Sequence, residues 1–385
     1  MRRIQLITVL FLLACGESST VPLGLAVMIE PPGPGLIVGI GNTRDYTASA
    51  TDYFGQVIYG QTITWSTENA AIATIDQNGL ATGVSEGETT VMAAIGGMKQ
   101  SVPLEVYVPE VITSYQAGTS YFGRNNYVEY VPGELPVVIS ATHGGSLRPS
   151  EIKDRSYGVT NSDRNTIELS VAVRDALIEV TGSAPHLVLS HLHRSKLDPN
   201  RELLEAAQGD PFAENAWHEF QDWIMEARDV VSQEHERGLY LDMHGHGHTI
   251  PRIEIGYLLS STDLNQSDSA LNNMTIVEKT SIRDLGYHAP EAFWELVRGP
   301  KSFGGLLEDE GVPSIPSPSD PYPGTDPYFT GGYNTRIHGS RSAGEVVSGI
   351  QLEHPYPGFR DSDANRQVYA TQLASVIQLF MIEHF

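Results

Sequence analysis

Four short stretches of this chain concentrate the side chains that could carry chemistry. They are Thr142-His143-Gly144-Gly145-Ser146, His191-Leu192-His193-Arg194-Ser195-Lys196-Leu197-Asp198-Pro199-Asn200-Arg201, Asp242-Met243-His244-Gly245-His246-Gly247-His248 and Gln351-Leu352-Glu353-His354. Imidazoles from separate stretches, joined by one carboxylate, make a three-ligand site with a fourth position left for water, the pattern of catalytic zinc. The one cysteine, Cys15, cannot build a thiolate cluster. Nitrogen and oxygen ligands therefore remain, which suit zinc and leave manganese, cobalt and iron open. A further glutamate near such a water would serve as general base, and a fixed arginine would bind an anionic part of the substrate. Asp242 is suited to orienting a ligating imidazole.

Such a site needs elements that end along one edge. Val137 to Ser140, His186 to Ser190, Leu239 to Asp242 and Val346 to Ile350 read as strands, each running into one of the polar stretches. Between them, Arg164 to Val180 carries an apolar stripe (Ile167, Val171, Val173, Ala176, Leu177, Val180) at helical spacing. Phe212 to Glu236 and Arg366 to Phe385 read as two further amphipathic helices. Strands alternating with helices predict an α/β domain over residues 110–385, its sheet mainly parallel or mixed and covered by helices. In such sheets ligands bind at the carboxyl ends of strands. Pro313 to Pro327 reads as a long surface loop.

Residues 25–109 have a different texture. Gln61 to Trp65, Ala71 to Ile75 and Thr89 to Ala94 are short alternating runs separated by turn residues such as Asp76-Gln77-Asn78-Gly79. They predict an all-β sandwich with Trp65 in its core. At the start, Met1-Arg2-Arg3 precedes an apolar run from Ile4 to Leu13, which ends in Leu12-Leu13-Ala14-Cys15. That pattern resembles a bacterial lipoprotein signal over residues 1–15, with Cys15 as the lipidated residue and 16–24 as a tether. Lys+Arg 24 against Asp+Glu 47 gives a formal charge of −23. This balance excludes a nucleic-acid binder that works by neutralising phosphate, and it leaves the lipid as the expected membrane contact.

Two resemblances extend this reading. Thr64-Trp65-Ser66, the string from Ile72 to Gly83 and Gly87 to Ala93 resemble a bacterial immunoglobulin-like domain of the group 2 type. The region from about 130 to 385 resembles the N-formylglutamate amidohydrolase family, relatives of the zinc carboxypeptidases. That likeness rests on the His-Gly loop at His143, on Asp163 ahead of a helix through Glu168-Leu169, and on Arg194…Asp198-Pro199-Asn200-Arg201. It continues with Asp242-Met243-His244, Gly331-Gly332-Tyr333-Asn334-Thr335-Arg336 and Gln351-Leu352-Glu353.

The second resemblance implies a zinc-exopeptidase-like fold holding one zinc ion. Its implied metal ligands are His143, His244 and a carboxylate, either Asp163 or Glu151. Glu353 is implied as the catalytic acid–base. Asn200 and Arg201 are implied to hold a substrate carboxylate. Arg194 and Tyr333 are further substrate-binding candidates, and Arg336 is a second candidate for the anionic end and for catalysis. Asp163 also has an ordinary alternative as a helix N-cap.

The chain departs from the family pattern at His244-Gly245-His246-Gly247-His248, where the family often has D-x-H-S. In an extended strand these imidazoles share one face, so His246 or His248 could join the metal or hold a second one. A TIM-barrel amidohydrolase also uses H-x-H, but it needs eight βα units that this sequence does not supply. The expectation is a metal-dependent amidohydrolase acting on a small molecule or peptide with a free carboxylate. A zinc carboxypeptidase acting on peptides or cell-wall stems, and a non-catalytic binding lipoprotein, are the alternatives. Cys15→Ser should release the protein from the membrane fraction or leave the precursor uncleaved. Unchanged membrane fractionation of a correctly processed variant would overturn the lipoprotein reading.

Overall fold

The computed structural model describes residues 26–385. The signal and tether expected over residues 1–24, Cys15 included, lie outside the described residues. The chain divides into two compact units, one ending at Val108 and the other spanning Pro109–Phe385. Among the described residues no helix is long and apolar enough to cross a membrane.

The first unit is all-β. Its largest sheet has four strands in the order Gly35–Val38, Met98–Tyr107, Gly87–Ile95, Ile63–Thr67. Two smaller three-stranded sheets accompany it. Along Gly87–Ile95 the residues Thr89, Val91, Ala93 and Ile95 are buried while their neighbours are partly exposed, as expected when one face of a strand meets a core. Trp65 is buried in that core with Tyr46.

The second unit is built on one eight-stranded mixed sheet. In chain order its strands are β1 (Tyr121–Phe122), β2 (Val128–Val131), β3 (Val137–Ala141), β4 (His186–Ser190), β5 (Gly238–His246), β6 (Ile253–Gly256), β7 (Ser314–Ile315) and β8 (Val347–Pro355). In space the order is β1-β2-β4-β3-β5-β8-β6-β7. The central strands β4, β3, β5 and β8 are mutually parallel, while β2 and β6 flank them antiparallel. Helices α1 (Thr166–Thr181), α2 (Pro211–His235), α3 (Tyr333–His338) and α4 (Asp363–His384) accompany the strands.

The two faces of the sheet differ in chemistry. Ile139, Leu239, Leu241, Met243, Ile350 and Leu352 join one apolar core with Leu169, Val173 and Leu177 of α1 and Leu373, Val376 and Ile377 of α4. Burying side chains of this size contributes about 1.5–3 kcal/mol each. The alternate residues point the other way and include Ser140, Asp242, His244, Gln351 and Glu353, all buried. One face thus stabilises the domain while the other carries its polar side chains.

The structure corrects the expected strand limits. β5 and β8 continue past Asp242 and Ile350 because their parallel pairing runs on through His244↔Glu353 and His246↔Pro355. These residues therefore sit within the ladder, on backbone fixed by hydrogen bonds, and not on loops. The expected loop from Pro313 contains the short strand β7, which pairs with β6.

A truncated chain spanning residues 111–385 should fold alone, since the apolar core described above is drawn from the second unit. A single cooperative thermal transition, with metal content equal to that of the full chain, is the expected result.

Candidate metal centre

Two imidazoles and one carboxylate meet at the carboxyl ends of β3 and β5. His143 lies two residues past the end of β3, His244 lies in β5, and Asp163 sits ahead of α1. The Nδ1 atoms of His143 and His244 are 3.1 Å apart, and Asp163 Oδ2 lies 3.2 Å and 3.3 Å from them. Asp163 is not the cap of α1, because the residue at that position is Asn165. Its carboxylate oxygen instead accepts the Gly245 backbone N–H at 3.1 Å.

The outward nitrogens are committed elsewhere. His143 Nε2 is 2.6 Å from Asp198 Oδ1, and His244 Nε2 is 2.8 Å from Asp242 Oδ2. An ionised carboxylate only accepts, so each Nε2 carries the donated hydrogen, and a ring in its neutral form turns a lone pair inward at Nδ1. Two imidazole lone pairs and a carboxylate oxygen then converge at hydrogen-bonding distance with no donor among the three. A positive charge placed there, a proton on one ring or a metal cation, reconciles them. Carboxylate-backed imidazoles of this kind are the usual support of metal-ligating histidines.

The charge balance agrees. Burial opposes a proton on His244, yet the Asp242 carboxylate and the Asp163 hydrogen bond lift its proton affinity well above the ordinary histidine range. Burial alone would raise the Asp163 and Asp198 carboxyls, but hydrogen bonds and charge from His143, with help from His244 at Asp163, hold both well below the carboxylate range. The place attracts positive charge. Two nitrogens and one carboxylate oxygen fit zinc as its three protein ligands.

The surroundings are fixed by further contacts. Asp242 Oδ1 accepts from Ser140 Oγ and Thr142 Oγ1, both at 2.9 Å. Thr142 Oγ1 in turn accepts from Asn334 Nδ2 at 3.1 Å. Arg194 Nε donates to Asp198 Oδ2 at 2.9 Å, and its guanidinium lies 3.8 Å from Asp163. Gly144 and Gly145 allow the loop after β3 to pass close to its neighbours. A Cβ at Gly145 would stand 2.3 Å from the His191 backbone, and one at Gly144 would stand 2.6 Å from Thr166 Oγ1.

Glu353 faces His244 across the β5–β8 pairing. It is 5% exposed and accepts from Gln351 Nε2 at 3.0 Å. Burial pushes its carboxyl up to about 8; His244 opposes the rise, while Asp163, Glu254 and Asp242 add to it. A carboxyl raised to this range is the kind of group that acid–base chemistry near neutrality uses.

The other expected residues divide into two groups. Asn200 is buried, its amide nitrogen 3.3 Å from His244 Nε2 and its carbonyl oxygen accepting the Asn334 N–H at 2.9 Å. Arg194 acts on Asp198 and faces Asp163, so it is placed to orient ligands. Arg201, Arg336 and Tyr333 lie further out. Arg201 pairs with Glu205 at 3.2 Å and Arg336 with Glu202 at 2.9 Å, the Arg336 guanidinium lying over the Tyr333 ring. Glu151 is held away from the histidines by a bidentate pair with Arg124 at 2.7 Å and 3.0 Å, together with Tyr127 and Asn125. His191 pairs with Glu129 at 2.9 Å and His193 contacts Arg148 and Ser195.

Two contributors escaped the sequence reading. Asp198 was visible inside its motif but carried no assigned role. Arg360, in the turn after β8, is buried and donates to the carbonyls of His354, Arg164 and His246. It packs on Gly245, where a Cβ would stand 2.2 Å from the guanidinium carbon, and no sequence pattern announced it.

Residues 29–106 match the bacterial Ig-like domain (group 2) family. No curated protein matches the chain. Among solved structures, the second unit is similar to an N-formylglutamate amidohydrolase from Ralstonia eutropha JMP134, with 13% identity over 66% of this chain and 96% of that one and a TM-score of 0.41. A gene product of Agrobacterium tumefaciens is similar at 11% identity over 68% of this chain and 96% of that one, also with a TM-score of 0.41. Domains 4 and 5 of the S-layer protein SbsC align at 18% identity over 21% of this chain, with a TM-score of 0.19. The chain spans 51% of that S-layer fragment.

His244→Ala should abolish metal binding at this centre. Asp242→Asn and Asp198→Asn should keep it but weaken affinity by roughly 10–100-fold, because they remove the acceptors that orient the ligands. Competition against a chromophoric chelator measures both effects, and unchanged affinity in both asparagine variants would contradict the assignment.

Proposed function

We propose that this chain is an exported, lipid-anchored, zinc-dependent hydrolase. It cleaves an amide bond in a small substrate that carries a free carboxylate, in the manner of an N-formylglutamate amidohydrolase. One observation carries the proposal: three convergent acceptors, His143 Nδ1, Asp163 Oδ2 and His244 Nδ1, stand beside the buried acid Glu353. The anchor rests on the string ending at Cys15.

Zinc held by His143, Asp163 and His244 would polarise the scissile carbonyl and acidify water at the site. Glu353 does the proton work. A neighbouring cation favours its ionised form, so it can accept a proton from attacking water and deliver it to the departing nitrogen. Arg194 favours the ionised form of Asp198 and lies 3.8 Å from Asp163, helping to hold both in place. Buried Arg360 adds positive charge that acts on Asp163 and Glu353.

Substrate capture falls to Arg201 and Arg336. Their present partners, Glu205 and Glu202, are exposed, and solvent-screened pairs of this kind are worth little. A substrate carboxylate can displace such a partner and gain a bidentate contact. Asn200, tied to Asn334 and beside His244, fixes the backbone from which Arg201 projects.

Hydrolysis of a panel of N-formyl amino acids, N-acyl amino acids and short peptides, run with metal analysis, tests the reading. Release of the carboxylate-bearing amino acid from small acyl substrates is expected. Turnover of peptides alone would make the protein a carboxypeptidase, and bound zinc without turnover would make it a binding protein. Glu353→Gln should retain zinc while kcat falls by roughly 10²–10⁴. Arg201→Ala should raise KM for free-carboxylate substrates and spare their amidated analogues.

A further inference from the structure

Beyond His244, β5 carries His246, and His248 follows it. His246 Nε2 donates to the Arg252 carbonyl at 2.9 Å, which turns Nδ1 inward as an acceptor. His248 Nδ1 is 2.7 Å from Glu254 Oε1, and His246 Nδ1 is 3.9 Å from the same oxygen. The ligand atoms of the three residues all lie within 4.8 Å of one another.

Each member is oriented by a different part of the fold. Glu254, in β6, is 1% exposed, and its second oxygen accepts the Phe329 N–H at 2.8 Å. The His248 ring lies flat on Phe329, 4.8 Å between centroids and 7° from parallel. His246 is held by Arg252, as above. Glu254 also stands opposite Glu353 in the β6–β8 register, so two buried carboxylates share one face of the sheet. Among the described residues, the ion-pair partners of Glu254 are the two imidazoles, with no lysine or arginine.

We propose that His246, His248 and Glu254 form a second divalent-cation site, distinct from the centre at His143, Asp163 and His244. The set of two imidazole nitrogens and one carboxylate oxygen suits zinc. On binding, the cation takes the His246 Nδ1 lone pair that now accepts the His248 N–H at 3.1 Å. The proton between His248 Nδ1 and Glu254 moves to Nε2 or leaves to solvent, as metal ligation requires.

The test counts ions in the intact two-domain chain after equilibration with buffered zinc. Two zinc ions per chain are expected for the unaltered protein. His248→Ala and Glu254→Gln should each bind one, His244→Ala should also bind one, and His244→Ala/His248→Ala should bind none. His248→Gln, with melting temperature measured alongside, guards against loss of metal through misfolding. Saturation at one zinc that His248→Ala leaves unchanged would overturn this site and spare the first. So would two ions persisting in both His248→Ala and Glu254→Gln. A single zinc lost in His248→Ala but kept in His244→Ala would support this site and overturn the first. No zinc in the unaltered chain would overturn both.

Discussion

The second unit is organised around an electrostatic demand: His143, His244 and Asp163 point Nδ1 and carboxylate oxygen atoms at one small volume that calls for positive charge. Nothing local forces this arrangement, since either ring could turn to present an N–H. Turning is prevented from behind, where Asp198 and Asp242 hold the Nε2 side of each ring. Those carboxylates are completely buried and would be untenable without partners of their own. Arg194 serves Asp198, while Ser140 and Thr142 serve Asp242. The inward lone pairs are thus the last link of hydrogen-bond chains that begin in the strands and loops around them.

This requirement explains the division of labour between the sheet faces. A sheet buried on both sides ordinarily places apolar side chains on both. Here the face toward α1 and α4 does so, and the opposite face gives up apolar burial at Ser140, Asp242, His244, Gln351 and Glu353. The polar face is compensated by hydrogen bonds that reach across the chain. Thr142, Asn334, Gln221 and His338 form one continuous line, with Asn334 and Gln221 at 3.1 Å and Gln221 and His338 at 2.6 Å. Parallel pairing of β5 with β8 sets His244 beside Glu353, so a one-residue slip would turn Glu353 into the apolar core. Register therefore decides whether the site exists.

Much of this was legible in the sequence. The strand and helix periodicities placed the principal elements of the second unit within a few residues, and His143, Asp163 and His244 could be proposed as ligands before their geometry was known. Asp163 was ambiguous because an aspartate before a helix is a normal cap, and only the position of Asn165 separates the two roles. Glu151 was a rival by proximity in sequence, but its bidentate pair with Arg124 depends on tertiary contacts that no local pattern announces. Glu254 lies in a short strand that pairs antiparallel with β8, a pairing that alternation alone does not specify. The short helices between Ser261 and Asp309 left no sustained period to read. Arg360 is distant in sequence from Arg164 and His246, two of the three residues whose carbonyls it holds.

Glu353 shows how position changes the acidity of an ordinary side chain. On a surface it would be an ionised carboxylate with no capacity to carry a proton near neutrality. Burial disfavours its charge, and Asp163, Asp242 and Glu254 disfavour it further. His244 opposes them from the adjacent strand, so the acid is held between two states. A cation added at either histidine cluster shifts that balance toward the carboxylate, because it offsets the neighbouring negative charge. At the proposed metal sites, loading would therefore be coupled to proton availability through one residue in β8, whose place is fixed on both sides by β5 and β6.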